Sequence, residues 1–196
     1  MILRNSLHAI GFALAGLTSA HATIVTLDVA TYGQWQSFDV VDPALGLGNN
    51  DLNWIDFNDG SNLSYSFTIA QGQTGTLTVV DGGFSGDRFQ VMANGVSLGQ
   101  TSAALNSYPN SIGLDFGAAL ADPSFSSAVY TFGAGTYSVT GALSQSAVDE
   151  FGVPLNATVG AVQLNVSAVP LPAAFIPMLS GLLAGAAALR RRRFVA

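Results

Sequence analysis

Residues 62–70 read NLSYSFTIA, and this stretch decides the fold class. Apolar residues occupy every second position along it, which places them on one face of a β-strand. These residues are Leu63, Tyr65, Phe67 and Ile69. The next residues, QGQTG at 71–75, are typical of a turn, and TLTVV at 76–80 is typical of another strand. The pattern therefore predicts two successive strands, the first with one apolar face.

Similar strand and turn signals continue along the chain. A glycine-rich loop at 81–86 (DGGFSG) precedes a short strand at 89–92, and Asn94-Gly95 is the dipeptide that favours a type I′ hairpin turn. The remaining predicted strands lie at 96–98, 128–132, 136–143 and 157–166. No helical pattern of convincing length occurs among them, and no fixed repeat period supports a solenoid. The sequence thus predicts an all-β domain, a two-sheet β-sandwich of jelly-roll type.

The N-terminal segment is organised like a secretory signal peptide. Arg4 supplies one positive charge, residues 7–17 are mostly apolar, and Ala20 and Ala22 occupy the small-residue positions of an A-x-A cleavage site. A retained membrane anchor is the alternative, but the apolar run is short for a membrane span. We therefore expect a signal peptide at residues 1–22 and an exported domain at residues 23–168.

The C-terminal segment has the pattern of a transmembrane helix. Residues 171–189 (LPAAFIPMLSGLLAGAAAL) carry no charge, and as a helix they would extend about 28 Å, close to the thickness of a bilayer core. A cluster of four arginines follows directly: Arg190, Arg191, Arg192 and Arg193. Such a cluster stays on the cytoplasmic side, so the preceding domain is predicted to lie outside. A buried core helix with a basic tail is the alternative, but it would normally show a polar face.

The order of these segments resembles a known sorting signal. The span is preceded by the motif V-P-L-P-A-A, formed by Val169, Pro170, Leu171, Pro172, Ala173 and Ala174. Residues 169–196 as a whole resemble the PEP-CTERM sorting signal of Gram-negative bacteria, with Leu171 in place of the glutamate of V-P-E-P. The resemblance implies an exosortase, a membrane-embedded cysteine transpeptidase-like enzyme, as processing partner, in bacteria that make exopolysaccharide. It also implies the export translocon, signal peptidase and, transiently, the inner membrane as partners, and a final location at the cell surface or in the extracellular matrix.

A second resemblance lies inside the domain. Residues 86–102 (GDRFQVMANGVSLGQTS) are similar to a pattern, D-x-F-x-V-x-x-N-G-x-x-L-G-x-T-S, that is found in sandwich domains of PEP-CTERM proteins. The pattern is structural. The resemblance therefore implies a β-sandwich fold and a place among PEP-CTERM proteins, and it says nothing about a ligand.

The charge of the predicted exported domain is strongly negative. All twelve acidic residues of the chain lie within residues 23–168, and Arg88 is the only basic residue there, which gives a formal charge of −11. Such a domain repels phosphate backbones, which excludes nucleic acid as a partner, and attracts cations, with calcium the obvious candidate outside the cell. The chain has no cysteine, so neither disulfides nor thiolate metal sites are available.

The residue inventory argues against an enzyme. The two histidines, His8 and His21, lie in the predicted signal peptide, so the exported domain has no His, Cys or Lys. This excludes Ser-His-Asp and Cys-His triads, Schiff-base chemistry and imidazole-bound zinc. Only carboxylates remain for acid–base chemistry, and Glu150 with Asp149 does not mark the facing pair that a glycosidase needs. We expect no catalytic residues and no required cofactor.

Residues 51–60 (DLNWIDFNDG) hold the candidate ligand-binding residues. Asp51, Asp56 and Asp59 are candidate calcium ligands, because calcium prefers hard oxygen donors, and an exposed Trp54 would suit the apolar face of a sugar. The spacing is not that of an EF-hand. The favoured interpretation is an Asx-rich turn with Trp54 in the core. The same turn interpretation applies to Asp81 and Asp87 around the DGGFSGD stretch.

Two functional classes remain after these exclusions. The first is an exported structural or adhesive protein of the cell envelope or extracellular matrix, associated with exopolysaccharide and biofilm and sorted by an exosortase. The alternative is a carbohydrate-binding module of the cell surface, assisted by calcium.

Overall fold

The computed structural model describes residues 22–42, 44 and 51–170. These residues form nine strands and one short helix. The strands are β1 (Ala22–Thr26), β2 (Trp35–Val40), β3 (Asn62–Ile69), β4 (Gln73–Asp81), β5 (Arg88–Ala93), β6 (Val96–Gln100), β7 (Ser127–Phe132), β8 (Gly135–Gln145) and β9 (Thr158–Ala168). The helix α1 (Phe116–Ala121) lies between β6 and β7.

The strands build two sheets, as predicted. One sheet has the order β1-β3-β8-β5-β6 and the other the order β2-β9-β4-β7. From β2 onward each strand crosses to the opposite sheet, except in the β5–β6 hairpin. This is the strand order of an eight-stranded jelly roll, with β1 added in parallel beside β3.

The inner faces of the two sheets share one hydrophobic core. The four alternating apolar residues of β3 are buried there, which confirms the prediction for residues 62–70. From the other sheet the same cluster includes Leu77 and Val79 of β4 and Leu164 of β9. A smaller cluster, in which Phe116 of α1 packs with Val80 of β4, lies on the outer face of the second sheet, because Val80 alternates with the core residue Val79. The two clusters explain why a chain without disulfides folds into two sheets.

Several element boundaries differ from those expected. Strand β4 begins at Gln73, three residues earlier than predicted, because Gly72 takes a positive φ of 76° and completes a tighter turn. Strands β1 and β2 lie in a part of the chain where no strand was predicted. Helix α1 was missed because six residues are too few to show a helical period; Asp115 caps it by accepting a hydrogen bond from the Ala118 N–H.

Most of the predicted terminal segments fall outside the described residues. Ala22 begins β1, and Val169 and Pro170 follow β9, whereas residues 1–21 and 171–196 lie outside the description. Among residues 22–42, 44 and 51–170, no helix has the length and apolar character needed to cross a membrane. The predicted signal peptide and transmembrane helix therefore stay predictions.

Candidate functional site

The acidic loop at residues 51–60 forms a series of Asx turns. The Asp56 Oδ1 atom accepts hydrogen bonds from the backbone N–H and the side-chain amide of Asn58, both at 2.8 Å. The Asp59 Oδ1 atom accepts one from the Ser61 N–H at 2.9 Å. These carboxylates cap the turn that leads into β3, as the turn interpretation predicts.

The three candidate calcium ligands do not form a common site. Across residues 22–42, 44 and 51–170, no three side chains of His, Cys, Asp or Glu converge in a way that could hold a metal ion. The structure therefore does not bring Asp51, Asp56 and Asp59 together as a group of three carboxylates, and calcium binding at this loop stays a prediction.

Trp54 belongs to the core. It is 1% exposed, stacks on Phe38 and makes edge contacts with Tyr65 and Phe89. A sugar ring cannot reach the buried indole, so the ligand role considered for Trp54 is wrong. The exposed aromatic side chain of this loop is Phe57, at 69%.

A second pair of carboxylates, Asp81 and Asp87, is buried at the end of the sandwich. Asp81 is the last residue of β4 and is 0% exposed, and Asp87 directly precedes β5 and is 1% exposed. Two glycines of the loop between them, Gly82 and Gly86, lie where a side chain would not fit. A Cβ on Gly82 would lie 2.9 Å from the Phe116 ring, and Gly86 has a positive φ of 132°. The glycines thus let the loop fold over its own two aspartates.

The hydrogen bonds of this pair are incomplete. The Asp87 Oδ1 atom accepts a hydrogen bond from the Ala147 N–H at 2.7 Å. The Thr158 hydroxyl is placed to donate either to the Asp87 carboxylate or to the Val159 carbonyl oxygen, which lies 3.4 Å from it. The Asp81 Oδ2 atom accepts one from the Asp87 N–H at 3.3 Å. The Asp81 Oδ1 atom is buried and finds no hydrogen-bond partner among the described residues.

Burial dominates the electrostatics of the pair. Burial, followed by the neighbouring Asp87 charge, raises the pKa of Asp81 to about 9, although the N–H groups of Asp87, Gly82 and Gly86 act in the opposite direction. Burial also raises the pKa of Asp87, against the Ala147 and Thr158 hydrogen bonds. Arg88 offers no compensation, because its guanidinium donates to the carbonyl oxygens of Thr101 and Ser102.

The interpretation of Asp81 and Asp87 as simple turn residues is therefore wrong. An Asx turn at the surface leaves its carboxylate in water, whereas these two are enclosed. One sequence signal was available: the two aspartates flank the loop immediately between apolar strands, after Val79-Val80 and before Phe89.

A polar depression lies near this end of the molecule. It has a volume of about 260 Å³. Its lining consists of Ser85, Ser107, Asn110, Ser111, Ile112, Asp122, Ser124 and Phe125. Tyr108, from the same segment, packs on Phe84 with ring centroids 5.1 Å apart, and both rings are half-buried.

Known proteins give little further guidance. The chain matches no protein-family model and no curated protein. One similar solved structure is the pre-peptidase C-terminal domain of a collagenase from Bacillus anthracis, at 8% identity and a TM-score of 0.37, covering 74% of this chain and 95% of that one. Another is CorA, a surface-associated copper-binding protein of Methylomicrobium album BG8, at 12% identity and a TM-score of 0.39, covering 74% and 98%. Similarity this low carries no information about ligand or activity.

Proposed function

We propose that this chain is an exported structural or adhesive protein of the cell envelope or extracellular matrix, sorted by an exosortase. The observation that carries the proposal is the order of segments along the chain. A signal-peptide pattern at 1–22 precedes an acidic β-sandwich, and a V-P-L-P-A-A motif, an apolar span and four arginines follow it.

The end of the last strand supports this division. Strand β9 ends at Ala168, and the Val169 N–H donates to the Gly72 carbonyl oxygen at 2.8 Å. The Val169 side chain is 49% exposed. Cleavage within residues 169–174 would therefore leave every described strand intact and release a folded domain.

The residue composition of the domain supports a structural or binding role. No histidine, cysteine or lysine lies between residues 22 and 170, and the buried carboxylates Asp81 and Asp87 are closed off from substrate. A net charge of −11 keeps such a domain soluble outside the cell and favours contacts mediated by cations.

Mass spectrometry in the native host tests the proposal. Wild-type chain from a strain with its exosortase should lose residues 1–22 and the segment after the 169–174 motif, whereas a strain without the enzyme should keep the tail. The double variant Pro170→Ala, Pro172→Ala should keep the tail in both strains and still lose the signal peptide. An uncut tail in the strain with the enzyme would contradict the proposal.

Carbohydrate binding is the second candidate, and the polar depression favours it. Serine hydroxyls, Asn110 and Asp122 line it, and the half-buried Tyr108 belongs to the same segment of the chain, a combination that suits a sugar. Calorimetric titration with the host exopolysaccharide should show binding that Asn110→Ala weakens and Phe57→Ala leaves unchanged. Loss of binding only in Phe57→Ala would place the sugar on the acidic loop instead.

A further inference from the structure

We propose that Asp81 and Asp87 bind a calcium ion inside the sandwich, with Thr158 beside them. The two carboxylates lie at the start and end of the β4–β5 loop, and Thr158 is the first residue of β9. This site is separate from the acidic loop at residues 51–60, and it does not depend on how the tail is processed.

The unpaired Asp81 oxygen is the first argument. Asp81 is 0% exposed, and no group in the part of the chain that the structure describes hydrogen-bonds to its Oδ1 atom. A buried carboxylate oxygen without a partner is strongly unfavourable. A cation bound at Oδ1 would remove this cost.

The uncompensated charge is the second argument. The Asp87 charge lies close enough to Asp81 to disfavour ionisation of the Asp81 carboxyl, and burial disfavours ionisation of both. Arg88, the only basic residue between positions 22 and 170, donates to backbone carbonyls instead. A buried pair of like charges persists only when a proton or a cation neutralises it.

A proton fits this arrangement poorly. A single proton on Asp81 would neutralise one carboxylate and leave the Asp87 charge buried. On the Oδ2 atom it would face the Asp87 N–H, which is itself a donor. A cation has neither problem, because every group that it requires is an oxygen acceptor.

The donor set selects calcium. Two carboxylates and a hydroxyl are hard oxygen ligands, and no His or Cys lies between residues 22 and 170 to favour a softer metal. Calcium accepts irregular oxygen sets and completes them with backbone carbonyls, whereas magnesium keeps its waters and suits an enclosed site badly.

Bound calcium would connect distant parts of the fold. Asp81 ends β4 and Asp87 precedes β5, while Ala147, from the β8–β9 connection, hydrogen-bonds to Asp87 and the Thr158 hydroxyl is placed to do so. An ion at the pair would therefore hold both sheets together at this end. The stability of the domain would then depend on the calcium concentration around it.

Thermal unfolding of the full chain, purified in detergent and stripped with EDTA, tests this site. Calcium at one hundred times its dissociation constant should raise Tm by about 5–10 °C, and an equal concentration of magnesium should raise it much less. The rise should disappear in Asp81→Asn and in Asp87→Asn. It should persist in Asp56→Asn, the matched control that removes one charge from the acidic loop.

Asparagine has nearly the shape of aspartate and removes a buried charge, so both variants should fold without calcium. Calorimetric titration should show binding to the wild type and to Asp56→Asn, and none to Asp81→Asn. An equal rise with magnesium, a rise that survives in Asp81→Asn, or no rise at all would each overturn the proposal.

Discussion

The indole ring of Trp54 stacks on the ring of Phe38, with centroids 4.0 Å apart and planes inclined by 17°. Both residues are fully buried, and each ring lies over a glycine of a different strand. Trp54 covers Gly141 of β8, and Phe38 covers Gly160 of β9, its partner in the β2–β9 ladder. The two glycines belong to different sheets, so the stacked pair fills the space between them.

Alanine at either glycine should destabilise the domain. A Cβ on residue 141 would overlap the Trp54 ring, and one on residue 160 would overlap the Phe38 ring and lie 2.9 Å from the Val80 carbonyl oxygen. Overpacking of this kind costs about 1–3 kcal/mol, which lowers Tm by roughly 3–10 °C in a domain of this size. Calorimetry of Gly141→Ala and Gly160→Ala measures the loss.

Gly133→Ala is the matched control, because its Cβ would meet nothing within 4 Å and its φ lies outside the left-handed region. It should leave Tm nearly unchanged. In addition, Trp54→Phe removes the ring atoms that a Cβ at position 141 would overlap. The double variant Trp54→Phe, Gly141→Ala should therefore lose less stability than the sum of the losses in the two single variants. If the two losses of stability simply added, the close contact between Trp54 and Gly141 would be contradicted.

Asn94 should stabilise the β5–β6 hairpin in two separable ways. Its φ is 50°, and its side chain accepts from the Ser138 N–H at 2.8 Å and donates to the Thr136 carbonyl at 3.2 Å. Asn94→Gly keeps the backbone angle and loses both hydrogen bonds, at about 0.5–1.5 kcal/mol each. Asn94→Ala also adds about 1–2 kcal/mol of backbone strain. Urea unfolding should therefore rank wild type above glycine and glycine above alanine; equal losses would show that φ does not matter here.

Local sequence patterns predicted the strands and turns whose signals lie within a few consecutive residues. Strand β3 alternates strictly, and Asn94-Gly95 takes positive φ at both positions, as the dipeptide predicted. Strand β2 (WQSFDV) buries only Phe38 and Val40 fully, and its large Trp35 faces the other way, so no clear alternation marks it. Its pairing with β9 depends on residues more than one hundred positions away.

Only the residue types of the candidate site could be predicted from the sequence, whereas the burial of its aspartates could not. The segment DGGFSGD has the same residue types as a surface turn, and burial of its aspartates comes from distant partners. Ala147, which binds Asp87, lies 60 residues further along the chain. Trp54 shows the same limit, since whether it is exposed depends on the space that Gly141 leaves for it.

Asp39 should make stability depend on pH. Burial, and then the charge of Asp56, raises the pKa of Asp39 above its ordinary value of 3.8. The folded state thus holds this proton more tightly than the unfolded state. The resulting stability is full below about pH 3.8 and is lost as pH rises through the folded-state pKa. Asp39→Asn should therefore gain stability relative to wild type on going from pH 3.5 to pH 7.

The gain should be modest, because Asp39 is only half-buried and water screens its charge. Urea unfolding of both proteins at several pH values gives the difference. The exposed Asp51→Asn is the control for removing one negative charge from the same acidic domain. If the difference in the free energy of unfolding between wild type and Asp39→Asn stayed constant with pH, the raised pKa of Asp39 would not be the source of the pH dependence.

Thiol labelling tests the predicted topology. The chain has no cysteine, so Ala134→Cys, at an exposed position in the β7–β8 turn, introduces a single reactive group. Export by the signal peptide would place it outside the inner membrane, and a membrane-impermeant maleimide should label it in intact spheroplasts. Ala196→Cys, beyond the four arginines, is the matched control in a strain without exosortase, because the predicted topology places that end in the cytoplasm. It should react only after lysis. If Ala134→Cys also required lysis, the domain would lie inside the cell and the proposed sorting would be wrong.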